Sequence, residues 1–394
     1  MFRENIVKTL RVGIIGLGFI GKVHAYGYAT LPFYYDKLGV RGRITHVCTS
    51  KPETAEAGRV QLDAQVATTD YRAITENPEI DVVNICTPNH FHKDALLSAM
   101  QHQKHIYCDK PLVVNMREAE EILSAMPTYK ATAQMTLQCR FFPAVMRAKQ
   151  LIDERFVGRV LEFRASYLHA GSASASAPLR WKLSAEAGGG VINDLASHIL
   201  DLMHHLLGDY ESIVADTQIA YSERPSAGDP SRMVKVDAED CVMLLARMAC
   251  GALGTIEATK ISTGAEDEIR FEIHGEKGAL RFNSMDPHFL EAFDAGAAAA
   301  PIGGMQGWTR IASGQRFPAP ASAFPGPKFS IGWMRVHAAC LANFLHAIGR
   351  NQTGDPGLDQ GVYVQYLLEQ IRESSSSRKW TDCRERNSVI ALPR

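Results

Sequence analysis

No apolar run in this 394-residue chain approaches the roughly 20 residues that a helix needs to cross a bilayer. A helical membrane anchor is therefore excluded as the organising feature. The run from Val12 to Ile20 comes nearest to the core of a secretory leader, but glycines at 13, 16 and 18 interrupt it, and it fits a strand and turn better. An excess of either charge is also missing. Lys and Arg total 42 against 43 Asp and Glu, a net charge of −1, so nothing in the balance calls for nucleic acid or an acidic membrane as partner. Eight cysteines are present, yet none forms a CxxC pair or a zinc-ribbon spacing. Cys48, Cys86 and Cys108 lie in or beside apolar strand-like runs, which reads as buried free thiols in a reducing compartment, the cytoplasm. With 46% hydrophobic and 22% charged residues the chain is neither disordered nor fibrous, and its length suggests two or three domains.

The residues that are there alternate in character. Through residue 137, short apolar runs (Arg11–Ile15, Ile44–Cys48, Val82–Cys86, His105–Cys108, Thr132–Leu137) alternate with helical stretches (Lys22–Ala29, Glu53–Gln61, Lys93–Gln101, Met116–Ala125). That pattern predicts an α/β domain with a doubly wound parallel sheet covered on both faces, residues 1–137. Leu31–Arg43 reads as a long inserted loop. After Gln138 a helix over Pro143–Glu154 precedes longer alternating segments: Val160–Leu168, Ser212–Ala220, Cys241–Met248, Gly254–Lys260, Ile269–His274 and Ala279–Phe282. These predict a second α/β domain, residues 138–394, on a largely antiparallel sheet. One face would lie on helices and the other would be open to a further subunit. A helix is expected over Val336–Ile348, after a Pro/Ala/Gly-rich loop at Phe317–Pro327.

The first chemical signal is RVGIIGLGFIG at residues 11–21. Gly16, Gly18 and Gly21 form GxGxxG directly between a strand and a helix, with Phe19 and Ile20 at the helix start. The first glycine permits the turn, the second lets the backbone approach a diphosphate, and the third lets helix pack on strand. The helix N-terminus would offer free N–H groups to the phosphates. At the end of the second strand, where an acidic residue would hold a free adenosine ribose, the chain has Thr49, Ser50 and Lys51. The hydroxyls and the ammonium lean toward the 2′-phosphate of NADP, although Thr49 or Ser50 equally suits the plain ribose of NAD. Thr87, Pro88 and Asn89 at a third strand end are expected against the nicotinamide ribose and phosphates, with His92 close by.

Further segments complete a pattern: CTPNH at 86–90, CDKP at 108–111, GGGVINDLASHILD at 188–201 and FEIHGEKGALRF at 271–282. With GLGFIG these resemble the Gfo/Idh/MocA oxidoreductases, across nearly the whole chain. The resemblance implies a Rossmann domain followed by an α/β domain on an open, largely antiparallel sheet. It also implies a nicotinamide cofactor (NAD or NADP) and a homodimer or homotetramer. Where the family usually has Glu-Lys-Pro, this chain has Asp109-Lys110-Pro111, which keeps the carboxylate one methylene shorter.

Oxidising a secondary alcohol requires a base for the hydroxyl proton and an acceptor for the hydride, which the cofactor supplies. Asp194 and His198, four residues apart, share one face of a helix. His198 has the intrinsic pKa of a neutral-range base, and Asp194 would orient it or relay the proton. Lys110 ends a parallel strand, where open α/β sheets place their ligands, and its ammonium would stabilise a developing alkoxide. The resemblance supports all three positions. The spacing 194–198–201–205 superficially resembles a metal-binding face, but Asp201 reads as a structural partner and no metal is expected. Arg140, His169, Arg180 and Trp181 are the substrate candidates, the tryptophan as a platform for a sugar's C–H face. The expected substrate is a sugar, glycoside or cyclitol, with the 3-hydroxyl one possible position. A neutral polyol agrees with the absence of a dense Arg/Lys cluster for a phosphate. A cofactor-retaining sugar–sugar oxidoreductase and a non-catalytic dinucleotide-dependent sensor stand as alternatives.

Overall fold

In β1 (Lys8–Ile15) the consecutive residues Val12, Gly13, Ile14 and Ile15 are all buried, which marks a strand covered on both faces. The computed structural model describes residues 7–384; the outermost parts of the two expected domains, 1–6 and 385–394, lie outside the described residues. From β1 the chain continues through α1 (Phe19–Tyr34), β2 (Val40–Cys48), α2 (Pro52–Gln61), β3 (Val66–Thr68), α3 (Arg72–Thr75), β4 (Val82–Ile85), α4 (His92–Gln101), β5 (His105–Cys108), α5 (Met116–Ala125) and β6 (Ala133–Met135). All these strands are parallel, in the order β3-β2-β1-β4-β5-β6. The order reverses between β1 and β4, so the crevice outside their carboxyl ends is the ligand position of a doubly wound sheet.

Leu31–Arg43 is not the inserted loop its composition suggests. Helix α1 runs through Pro32 to Tyr34, and β2 begins at Val40. Pro32 lies in the last turn of α1 and removes one i→i−4 helical hydrogen bond there, close to where the helix ends.

The second layer holds α6 (Pro143–Asp153), β7 (Val160–Leu168), a π-helical turn at Ile192–Ala196 running into α7 (Ser197–Leu207), and β8 (Tyr210–Gln218). A small ribbon of β9 (Glu223–Pro225) and β10 (Met233–Lys235) follows. Next come β11 (Cys241–Met248), β12 (Leu253–Thr259), β13 (Glu268–Gly275), β14 (Gly278–Asn283), β15 (Phe289–Asp294), β16 (Trp308–Ala312), α8 (Trp333–Gly349), α9 (Leu358–Ser377) and β17 (Thr381–Asp382). The large sheet has the order β16-β15-β14-β13-β7-β12-β11-β8-β17 and is antiparallel except for the β7–β12 pair. Along β11 the burial alternates: Val242, Leu244 and Ala246 face the helices, while Met243 and Leu245 are exposed on the open face.

Helices α8 and α9 return to the first sheet. The Gln134 side chain donates to the Cys340 carbonyl at 2.9 Å, the Met135 N–H to the Pro356 carbonyl at 2.8 Å, and the Thr132 hydroxyl to the Gln352 carbonyl at 2.9 Å. The C-terminal helices therefore brace the two sheets against each other, which fixes the shape of the cleft between them.

Candidate active site

A cleft of about 1430 Å³ runs from the β1–α1 turn across the carboxyl ends of the parallel strands to the loops of the second sheet. At its origin Gly16 has φ +92°, and a Cβ there would lie 2.5 Å from the Cys86 carbonyl oxygen. A Cβ on Gly21 would lie 2.3 Å from the Gly16 carbonyl oxygen, so these two positions admit only glycine. Gly18 is different: a Cβ on it would meet nothing within 4 Å and would project into open space. No side chain caps the N-terminus of α1, whose first N–H groups are therefore available to an anion. Gly16, Gly18, Phe19 and Ile20 all line the cleft. This is the cradle a dinucleotide diphosphate requires.

Beyond β2, Thr49 and Ser50 line the cleft with Thr54, Thr69 and Tyr71. The Thr49 hydroxyl is already engaged, donating to the Lys51 carbonyl at 3.0 Å and lying 2.6 Å from the Thr54 hydroxyl. The Lys51 side chain is exposed and is not part of the lining, so the expected ammonium contact is not made by this arrangement.

The end of β4 presents Thr87, Pro88 and Asn89. The Thr87 hydroxyl is buried without a partner, while the Asn89 side-chain amide donates to the Gly188 carbonyl at 2.7 Å and so ties this strand end to the second domain. His92 does not reach the cleft. It is fully buried, with Nε2 2.9 Å from the Thr87 carbonyl and Nδ1 3.0 Å from the Pro111 carbonyl, and it clamps the two strand-end loops together. Its predicted place against the cofactor is corrected to that of a brace.

Lys110, at the end of β5, crosses to the second domain. The π-helical turn puts one residue more into its ring than an α-turn and alters carbonyl pairing locally. The Asp194 carbonyl accepts from Lys110 Nζ at 2.6 Å, and the Asp194 carboxylate lies 3.1 Å from the same nitrogen. Two lysines that sequence reasoning missed complete the group. Lys182 Nζ lies 3.1 Å from both carboxylate oxygens, and Lys260 Nζ lies 3.2 Å from Oδ2. The chain thus gathers three lysines around one carboxylate, which the linear sequence does not show because residues 110, 182 and 260 meet only in the fold. Burial alone would raise the Asp194 carboxyl, but Lys110, Lys260 and Lys182 outweigh it and hold it well below the usual range. Burial pushes the Lys260 ammonium down, with Asp194 opposing. The two directions agree physically: one anion stays ionised among three cations, and the buried Lys260 holds its proton less tightly than a free lysine does.

His198 begins the next turn, 5% exposed, with Nδ1 3.8 Å from Cys139 Sγ and its ring 5.7 Å from that of Tyr167. Burial, and then Lys110, hold its pKa well below that of a free imidazole, so it is a neutral base at neutral pH. Among the described residues no hydrogen bond joins it to Asp194. The expected orienting of the imidazole by Asp194 is therefore corrected: the carboxylate holds lysines instead. The Tyr167 hydroxyl donates to Asp267 at 2.7 Å, and both line the cleft beside His198.

His169, Arg180 and Trp181 line the far end. The His169 Nδ1 accepts from the Gly171 N–H at 2.7 Å, which leaves the ring proton of the neutral form on Nε2 as a donor. Arg140 is absent from the wall. Buried, it grips Asp201 with two nitrogens (Nε to Oδ2 2.8 Å), and Gln360 donates to the same carboxylate at 2.8 Å. The substrate contact expected of Arg140 is corrected to a lock between α7, the turn after β6, and α9. With Asp201 turned to Arg140, and His204 to Asp209 and Gln360, the apparent metal face does not converge. Among the described residues no three His, Cys, Asp or Glu side chains group as metal ligands.

Residues 10–137 match the model of the oxidoreductase family with an NAD-binding Rossmann fold, and residues 145–281 match the GFO/IDH/MocA C-terminal domain. The chain is 32% identical over 391 residues to the levoglucosan dehydrogenase of Pseudarthrobacter phenanthrenivorans, covering 95% of this chain and 98% of that protein. It is 28% identical over 285 residues to the inositol 2-dehydrogenase of Rhizobium meliloti, covering 72% and 78%. A solved levoglucosan dehydrogenase in complex with NADH and levoglucosan superposes with a TM-score of 0.90 at 31% identity, covering 95% and 99% of the two chains.

Proposed function

The chain belongs to the GFO/IDH/MocA oxidoreductase family, and from that premise we propose that it interconverts a secondary hydroxyl and a ketone on a sugar, anhydrosugar, glycoside or cyclitol. The single observation that carries this reading is a convergence. Lys110, from a strand end of the parallel sheet, meets Asp194 and His198 of the second domain in one cleft that begins at the glycine turn.

A nicotinamide bound along that cleft supplies the hydride acceptor or donor. His198, neutral and buried, takes the hydroxyl proton in the direction of oxidation. The Lys110 ammonium stabilises the alkoxide that develops as the proton leaves. Asp194 holds that ammonium in place from two of its oxygens, carboxylate and carbonyl. His169, Arg180 and Trp181 bind the rest of the sugar, and the 3-hydroxyl is the position we assign to the reaction. We take NAD as the cofactor in preference to NADP. The engaged Thr49 hydroxyl and the outward Lys51 remove the basis for a 2′-phosphate site, and a relative's solved complexes hold NADH.

The test is reduction of NAD+ and NADP+ across levoglucosan, methyl glucosides and myo-inositol. Turnover with one of these sugars, with kcat/KM higher for NAD+, is expected. His198→Ala should lower kcat by at least about a hundredfold. Undiminished turnover in that variant removes the base, and no turnover on any sugar removes the substrate class.

We further infer a homodimer or homotetramer built on the open face of the second sheet, in the reducing cytoplasm. Met243 and Leu245 lie exposed on a concave surface flanked by Arg164, Arg270, Glu257 and Glu272. Leu245→Glu should convert the assembly to monomer in light scattering. A wild-type monomer would remove this part of the reading.

A further inference from the structure

Among the described residues, His337 is the most buried polar side chain on the cleft wall that no other group satisfies. It is 4% exposed, it lines the cleft, and neither ring nitrogen has a hydrogen-bond partner. A buried donor without a partner is costly, so a site that keeps one aims it at something that binds.

Its surroundings say which part of the cleft it serves. Trp333 lies one turn earlier on α8, with ring centroids 4.1 Å apart. Trp333 in turn lies 5.8 Å from Phe19 at the glycine turn. On its other side His337 lies 6.4 Å from the ring of His24, the α1 histidine whose Nδ1 lies 3.1 Å from Cys86 Sγ. These neighbours belong to the nucleotide end of the cleft, not to the end formed by His169, Arg180 and Trp181. His337 is also within electrostatic reach of Lys110 and His198.

On the dehydrogenase reading, the pyridine ring must occupy the space between the glycine turn and those two groups. Its one polar substituent is a neutral, planar carboxamide, with an acceptor oxygen and a donor nitrogen. A neutral imidazole, with one donor and one acceptor, matches it without adding charge. We propose that His337 is a positioning residue for the cofactor, donating a ring N–H to the nicotinamide carboxamide oxygen, so that α8 of the C-terminal segment completes the site begun by the glycine turn. Trp333 and Phe19 form the apolar edge against which the dinucleotide is held.

The experiment compares NADH with ADP-ribose, which keeps the adenosine and diphosphate but lacks the nicotinamide. Calorimetric titrations use the full-length protein and two variants. His337→Phe fills the volume without a donor, and His337→Gln restores an N–H. The expected result is that His337→Phe weakens NADH about tenfold and leaves ADP-ribose within about twofold. His337→Gln should recover most of the NADH affinity. Unchanged NADH binding in His337→Phe overturns the proposal, as does an equal loss for both ligands, which would mark a purely structural residue. A failure of His337→Gln to improve on His337→Phe overturns it as well, independently of how well His337→Phe folds. Wild-type protein that binds neither ligand overturns the dehydrogenase reading and this inference with it.

Discussion

At Asp194 three ammonium groups share two carboxylate oxygens, and that count decides what a substitution does. Asp194→Asn keeps the shape and removes the only anion among them. Breaking a buried ion pair from one side costs about 3–5 kcal/mol, so the variant should melt well below the wild type at neutral pH. Burial already disfavours the charged form of Lys260, so raising the pH above neutrality should favour its neutral form and narrow the deficit. A deficit that stays constant between pH 7 and 9.5 would show that the lysines are not what the carboxylate restrains. Arg140 makes the opposite case. Arg140→Ala leaves Asp201 buried with Gln360 as its remaining side-chain partner, so about 3–5 kcal/mol of stability should be lost with no change in KM for the sugar. A raised KM at unchanged stability would return Arg140 to the substrate. That Lys110, Asp194 and His198 share one cleft was legible because CDKP at a strand end and GGGVINDLASHILD resemble the family's segments, whereas the spacing of four alone would more often mark a structural pair. Lys182 and Lys260 were not, since a lysine beside a loop or at a strand end reads as solvated until the fold shows what it meets. The same holds for Arg140, whose partner lies 61 residues away.

Elements were readable where one force dominates. Strands β5 and β7, β11 and helix α5 have the bounds their patterns predict, because apolar runs or strict alternation leave no second solution. Helix α9 escapes that logic. It buries residues around most of its girth, from Leu358 and Gln360 through Tyr363 to Ile371, and so shows no clean apolar stripe, and its last turn is a run of serines. The π-helical turn is equally hidden, since nothing in the composition of Ile192–Ala196 announces an extra residue per turn. The glycine turn is the element whose chemistry can be tested most cleanly. Gly18 has φ −74°, outside the left-handed region that favours glycine, and a Cβ there touches nothing. Gly18→Ala should therefore leave the Tm of the free protein unchanged while weakening NADH at least about tenfold, because the added methyl stands where the diphosphate approaches. Gly16→Ala should instead lower the Tm, since its positive φ and the Cys86 carbonyl both oppose a side chain. Equal NADH affinity in Gly18→Ala would place the diphosphate elsewhere.

Across the whole molecule, a set of histidines is held neutral by burial, and this links stability to pH. Burial lowers His24 to about 4, against weaker opposing pulls from Asp109 and Asn84. It lowers His205 to about 4, with Arg140 acting the same way. His198 and His337 are held well below 6.5 by burial first, with neighbouring positive charge adding to it. Each of these groups binds a proton in the unfolded chain from about pH 6.5 downward but not in the folded one. The unfolded state therefore carries more protons, and stability must fall as the pH drops through this window. Each unit of pH below 6.5 removes about 1.4 kcal/mol for a histidine that stays neutral in the folded chain, so His24 and His205, held at about 4, each lose about 2 kcal/mol by pH 5. Asp194 does not offset the loss. Its folded pKa is depressed, so its contribution is complete above the ordinary carboxyl value of 3.8 and declines only at lower pH. Two of the four histidines, His198 and His337, line the cleft, so the neutrality that the proposed base role of His198 requires is part of what acid removes. Urea unfolding at pH 7, 6 and 5 should show the free energy falling at each step, by about 4 kcal/mol by pH 5 from His24 and His205 alone, with His198 and His337 adding in the same direction. A free energy that stays flat from pH 7 to pH 5 would mean that these imidazoles are protonated in the folded chain, and His198 could not then be the base.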